Sequence, residues 1–247
     1  MNIQETSATE GHIYSRYDRE LNALVQQVST MGKLVVKQVK EAGKAIKRGD
    51  VDRARKILEN EERIDEMDGQ AEQEIHRILA LRQPMAKDLR AILTVNRMVS
   101  YLERIGDQTK NIAKLCIRLY EKSESPPDDK LVSGIPRMAK YVQTMVSMSI
   151  RAFEEMDMEL ALEVLEMYDE LNDQFDNSIR SVTTFVMADA RRVGQAVDVV
   201  LGLRSLDRIG GHAMSISKQI IFMVSGASVR HESQDVVVAE VRSAKIL

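Results

Sequence analysis

Ala45-Ile46-Lys47-Arg48-Gly49-Asp50-Val51-Asp52-Arg53-Ala54-Arg55-Lys56-Ile57-Leu58-Glu59 contains a pattern that returns later in the chain. It reappears as Ala152-Phe153-x-x-x-Asp157-x-x-x-Ala161-x-x-Val164-Leu165-Glu166. The first copy lies between two apolar periods, at a point where Gly49 suits the left-handed position that ends a helix. A second echo follows downstream, with Leu102-Glu103-Arg104-Ile105-Gly106 matching Leu206-Asp207-Arg208-Ile209-Gly210. Two separate motifs recurring in the same order mean an internal repeat of about half the chain.

Upstream of the first copy, Leu21, Leu24, Val25, Val28, Met31, Val35, Val39, Ala42 and Ile46 fall at steps of three and four. That spacing is one apolar stripe on a helix. Downstream, a second helix starts near Val51 and carries Ala54, Ile57, Leu58, Ile64, Met67, Ala71, Ile75 and Ile78. It ends before Pro84, because the residue ahead of a proline is pushed out of the helical region. Pro84 itself suits the first turn of a third helix, which runs through Leu89, Ile92, Met98, Leu102, Ile112 and Leu119. The segment 123–130, with Pro126 and Pro127 among polar residues, reads as a linker. The second half then predicts helices near 131–156, 158–188 and 190–225.

The expected fold is therefore all-α: two tandem three-helix bundles, six long antiparallel helices related by a pseudo-twofold repeat. The expected boundaries are a mobile N-terminus at 1–15, repeat one at 16–122, the linker at 123–130, repeat two at 131–226 and a poorly ordered tail at 227–247.

The composition agrees. Tryptophan is absent, aromatics are 4%, and only 12 glycines and 4 prolines punctuate 247 residues, too few turn formers for a sheet-rich fold. A net charge of −3 carries no nucleic-acid footprint. The single cysteine, Cys116, cannot form an internal disulfide, which fits a reducing compartment. No secretory leader and no run of roughly 18 apolar residues is read from the chain, so the expected location is cytoplasmic, with the membrane reached only through partners.

The chemistry-bearing feature is acidic residues four apart: Glu61 and Asp65, then Glu103 and Asp107. Residues i and i+4 share a helix face, where like charges destabilise unless something compensates them. In an antiparallel hairpin turning at Pro84, Glu61 should face Asp107 and Asp65 should face Glu103. Four carboxylates would then meet at one level. Oxygen-only clusters suit cations such as Mg²⁺, Mn²⁺ or iron. The alternative is a solvated charged face, paired with Arg63, Arg104 or Arg208. In the second half the counterparts are Asp169, Asp173 and Asp207, with Gly211 in place of the fourth carboxylate, which makes a second cluster weaker. No phosphate-cradling glycine loop and no nucleophile–base pairing is found. Cys116 and the fourteen methionines read as core.

Leu81-Arg82-Gln83-Pro84-x-Ala86-x-Asp88-Leu89-Arg90, Leu102 to Asp107 and Asn111-Ile112-Ala113 resemble the first repeat of the PhoU family. Arg208-Ile209-Gly210 and Val229-Arg230-His231 resemble the second. The chain departs from the family pattern at Gly211 and at Met214-Ser215-Ile216. The resemblance implies two three-helix bundles whose acidic motifs bind metal ions, of which Mg, Mn, Fe or Zn are the candidates. It implies a homodimeric, non-enzymatic negative regulator of the phosphate-starvation response. Its implied partners are a sensor histidine kinase and the ATPase subunit of a phosphate ABC transporter. A carboxylate-bridged metalloenzyme and a metal-free helical scaffold are the alternative readings.

Overall fold

The repeated motif is a helix corner with the same hydrogen bonds in both halves. In a computed structural model, which describes residues 4–123, 125–226 and 236–237, α1 (Gln4–Arg48) stops where Gly49 turns left-handed at φ 62°. The Asp50 N–H then donates to the Ala45 carbonyl at 3.0 Å, which satisfies an end carbonyl of the helix. The Asp50 carboxylate caps α2 (Val51–Arg82), accepting from the Arg53 N–H at 2.9 Å. In the second half Met156 takes the left-handed place at φ 53°. The Asp157 N–H donates to the Ala152 carbonyl at 2.9 Å. The Asp157 side chain caps α6 (Met158–Ala188) through the Glu159 and Leu160 N–H groups. A β-carbon is costly in that conformation, so the second corner is the more strained of the two.

The remaining elements are α3 (Ala86–Tyr120), the short α4 (Asp129–Val132), α5 (Gly134–Glu155), a 3₁₀ turn (Ala190–Arg192) and α7 (Val193–Ser225). The described residues contain no strand, and none of their helices is long and apolar enough to cross a membrane. The backbone is helical from Gln4, so residues 4–15, expected as a segment ahead of the first repeat, are continuous with α1. No proline interrupts that stretch, and its Gln, Glu and Ala residues favour helix. Pro84 does not enter α3. Gln83 before it turns left-handed at φ 46°, ending α2, and Met85 stands extended ahead of Ala86. Most of the expected tail lies outside the described residues, but Val236 and Val237 are helical and Val237 is fully buried.

Each repeat is a three-helix bundle, and the two bundles share one core. α1 packs on α5 and α3 packs on α7, while α1 also meets α3 and α5 meets α7. These four helices form a central bundle, with α2 laid on the α1/α3 side and α6 on the α5/α7 side. The apolar stripe of α1 faces inward: Leu24, Val28, Met31, Val35, Val39, Ala42 and Ile46 are all buried, each contributing about 1.5–3 kcal/mol for the larger side chains. The segment after α3 is held rather than loose. The Gln195 amide donates to Ser123 Oγ at 3.0 Å and to the Ser125 carbonyl at 2.9 Å, and Pro127 is buried.

α1 and α5 approach closely where Gly43 meets Ala139. A β-carbon built on Gly43 would lie 2.7 Å from the Ala139 Cβ, and neither side has a flexible end that can swing away. Gly43→Leu should therefore separate the helices, with loss of stability of at least about 2 kcal/mol by urea denaturation despite the better helix propensity of leucine. Far-ultraviolet circular dichroism of the variant should keep the native helical content.

Candidate functional site

The α2–α3 hairpin carries the acidic residues, and their surroundings differ sharply. Glu61 is fully buried, and neither of its carboxylate oxygens has a hydrogen-bond partner. It fits there because α3 offers Gly106 opposite: a β-carbon at that position would lie 3.0 Å from Glu61 Oε1. Asp65 and Asp107 are exposed, and Glu103 is half-buried. Asp107 has Lys110 at 3.9 Å.

Burial pushes the Glu61 carboxyl up to about 7. The Lys110 ammonium opposes that rise, and the Asp65, Asp107 and Glu103 charges add to it. Glu103 is raised as well, by burial first and then by Asp107, Asp68 and Asp65. The hairpin thus brings Glu61, Asp65, Glu103 and Asp107 into one electrostatic neighbourhood. As the side chains stand, no three Asp, Glu, His or Cys groups among the described residues are close enough together to hold a metal ion. What the site does hold is an uncompensated buried carboxylate, which is costly unless protonated or paired.

Asp68 belongs to this neighbourhood and was not singled out from the sequence. Its carboxyl is raised by burial, then by Glu72 and Asp65. The signal was present: Glu61, Asp65, Asp68 and Glu72 follow steps of four, three and four, one continuous face of α2. Lys110, the cation that opposes the rise at Glu61, was equally legible, three residues after Asp107.

The second repeat is built differently. Gly210 faces Leu171, as Gly106 faces Ile64 and Glu61. Position 211 faces the Tyr168 hydroxyl, 3.7 Å from a β-carbon built there. The corner motif runs Ala54 to Ala161, so the counterpart of Glu61 is Tyr168 and that of Asp65 is Asn172, one residue off the expected Asp169 and Asp173. Both of those aspartates are exposed. Asp207, the counterpart of Glu103, is nearly buried and pairs with Arg204 at 3.1 Å. Its carboxyl is raised by burial, against the Arg204 and Arg208 charges. Arg204 also lies over the Phe175 ring, 5.6 Å from its centroid. His212, next to Gly211, is pushed down to about 4 by burial and by Arg104 and Arg208. It rests against the Tyr101 ring with centroids 6.0 Å apart. One carboxylate with an arginine partner replaces the four acids of repeat one.

The family model of the PhoU domain matches residues 28–116 and 135–220, one match in each repeat. A phosphate-specific transport system accessory protein PhoU homolog of Pseudomonas putida is 35% identical over 99% of this chain and 94% of its own length. The phosphate-specific transport system accessory protein PhoU of Escherichia coli K12 is 27% identical over 91% of each chain. Among solved structures, PhoU from Pseudomonas aeruginosa superposes with a TM-score of 0.80 at 34% identity, over 85% of this chain and all of that one.

Glu61 sets a pH dependence. Its folded value of about 7 exceeds the ordinary 4.5, so between those values the folded chain holds a proton that the unfolded chain releases. Its stabilising contribution is complete below about 4.5 and is lost as pH rises through about 7. With metals chelated, Glu61→Gln should remove about 2–3 kcal/mol of the stability difference between acidic and alkaline ends of that window. Urea midpoints of wild type and variant across the window measure it; equal slopes would assign the dependence elsewhere.

Proposed function

The chain belongs to the PhoU family, and from that membership we propose that it is an accessory and regulatory protein of a phosphate-specific transport system. The observation that carries this reading is that the family match falls on both repeats, spanning the core of the fold. In this reading the protein acts in the cytoplasm as a negative regulator of the phosphate-starvation response, as a homodimer and not as an enzyme. It couples the transporter's ATPase subunit to a sensor histidine kinase through its helix surfaces.

The carboxylate site fits a cation in its chemistry. Glu61, Asp65, Glu103 and Asp107 supply oxygen donors only, and the orphaned Glu61 oxygens supply the need for positive charge. A bound divalent or trivalent ion would supply that charge and draw α2 and α3 together on one ligand set. The chain's own residues set the conditions: Gly106 leaves room for the Glu61 carboxylate, Lys110 supplies partial neutralisation, and Asp65 and Asp107 face solvent where an ion can enter. The equivalent set in repeat two, Asp169, Asp173 and Asp207, is left out of the proposal. Tyr168 stands where Glu61 does in repeat one, and Arg204 already serves Asp207.

Deletion of the gene should raise alkaline phosphatase expression in phosphate-rich medium, and the wild-type chain should restore repression. Continued repression in the deletion strain, with no second copy present, would reject the regulatory role. Separately, calorimetric titration with Mn²⁺ should show binding to the wild-type chain that Glu103→Ala with Asp107→Ala weakens at least about tenfold, the loss expected when ligating carboxylates are removed. Unchanged Mn²⁺ binding by that double variant would place any metal outside this hairpin.

A further inference from the structure

A cavity lies away from the carboxylates, in a groove between α1 and α5 that α4 also lines. Its volume is about 730 Å³, within the range of small-molecule sites. Lys40, Lys44 and Lys47 line it from α1, at steps of four and three, and Arg137 and Lys140 line it from α5. Asp129 is the one acid among the lining residues. Like charges at these helical spacings repel, so each wall carries a cost that an anion would relieve. Lys44 has a partner in Glu41 at 2.8 Å. Lys40, Lys47, Arg137 and Lys140 are exposed and enter no ion pair among the described residues. A chain of net charge −3 has thus gathered five cations against one acid in a single groove.

The floor of the groove is apolar. Val132, Pro136 and Ala139 contribute to it, with the close Gly43–Ala139 contact at its base. Lysine stems laid along such a floor cover more apolar surface while their ammonium groups reach outward. A lone inorganic anion would fill a small part of this volume and would leave the floor uncovered. A ligand with several contiguous phosphates can meet both cationic walls, and a planar apolar ring can cover the floor.

We propose that the α1–α5 groove is a binding site for a nucleoside polyphosphate, with its phosphates held between the Lys40/Lys44/Lys47 row and Arg137/Lys140 and its ring on the Val132–Pro136 floor. The site shares no residue with the carboxylate hairpin and does not depend on the regulatory reading.

The test is calorimetric titration of the full chain with ATP at moderate ionic strength and with metals chelated. ATP should bind with a dissociation constant below about 1 mM, and raising salt should weaken it, because screening shortens the reach of the cations. Inorganic tripolyphosphate should bind more weakly than ATP, because it lacks the ring. The combined variant Lys40→Gln, Arg137→Gln and Lys140→Gln should lose at least about tenfold in affinity, the effect of removing charge-assisted contacts to phosphate. Glutamine keeps helix propensity, and circular dichroism verifies the fold. Lys33→Gln, which removes the cation paired with Glu154 at 2.7 Å outside the groove, should bind ATP as wild type does. The assignment fails if ATP does not bind, if the combined variant binds it unchanged, or if Lys33→Gln weakens it equally. It also fails if tripolyphosphate matches ATP, or if a hexaglutamate peptide binds more tightly than ATP, which would make the groove a peptide dock.

Discussion

The packing of α1 on α5 and of α3 on α7 is the constraint on which the rest of the molecule depends. A three-helix repeat alone would leave one face of its first and third helices uncovered, and those are the faces that carry buried residues such as Val39, Leu115, Met145 and Leu203. Joining the repeats through four helices covers both faces at once and closes a single core. The close approach at Gly43 and Ala139 draws α1 onto α5. On the other side, Arg118 of α3 reaches Asp198 of α7 at 2.6 Å and Arg97 reaches Gln219 at 3.3 Å. With both seams closed, α2 and α6 each have a fixed bed, and the α2–α3 hairpin acquires a defined register.

That register gives one internal repeat two different chemistries. In repeat one Glu61 occupies the space beside Gly106, with four more carboxylates in the same neighbourhood. In repeat two the same level holds Leu171 beside Gly210 and Tyr168 beside Gly211. Tyr168 covers the place with a ring whose hydroxyl is raised by burial and by the Asp207 charge. Asp207 pairs with Arg204, although burial still raises its carboxyl. The second repeat therefore gives its buried acid an arginine, whereas the first retains a buried acid with no hydrogen-bond partner. Two copies of one pattern have diverged in how they treat a buried carboxylate.

Charge is also segregated between helix pairs. The acids of α2 and α3 form one concentration, and the lysines and arginine of the α1–α5 groove form another. Each is internally repulsive along its own helix, and each is tolerated because the shared apolar core holds the helices in place regardless. A fold stabilised by so much burial can carry local electrostatic strain at two sites without losing its form.

By itself the sequence determined the repeat, the inward faces of α1, α2 and α3, and the helix boundaries to within a few residues except at the start of α1, which begins about a dozen residues earlier than expected. Periodicity and helix-ending residues are local, and the chain has few glycines or prolines to confuse them. The corner at Gly49-Asp50 and its echo at Met156-Asp157 were legible for the same reason. Glu61, Asp65, Glu103 and Asp107 could be placed together because an antiparallel hairpin has a constant register sum. The tertiary structure decided what register arithmetic could not. The short connection at Asp189 carries a 3₁₀ turn before α7, which moves the second hairpin by one residue and exchanges Asp169 for Tyr168. Depth is likewise a tertiary property: nothing local distinguishes Glu61 from Asp65, yet the packing of α3 at Gly106 buries one and leaves the other in water. The α1–α5 groove is the same case, because its two walls lie about ninety residues apart in the chain and meet only when the repeats close on each other.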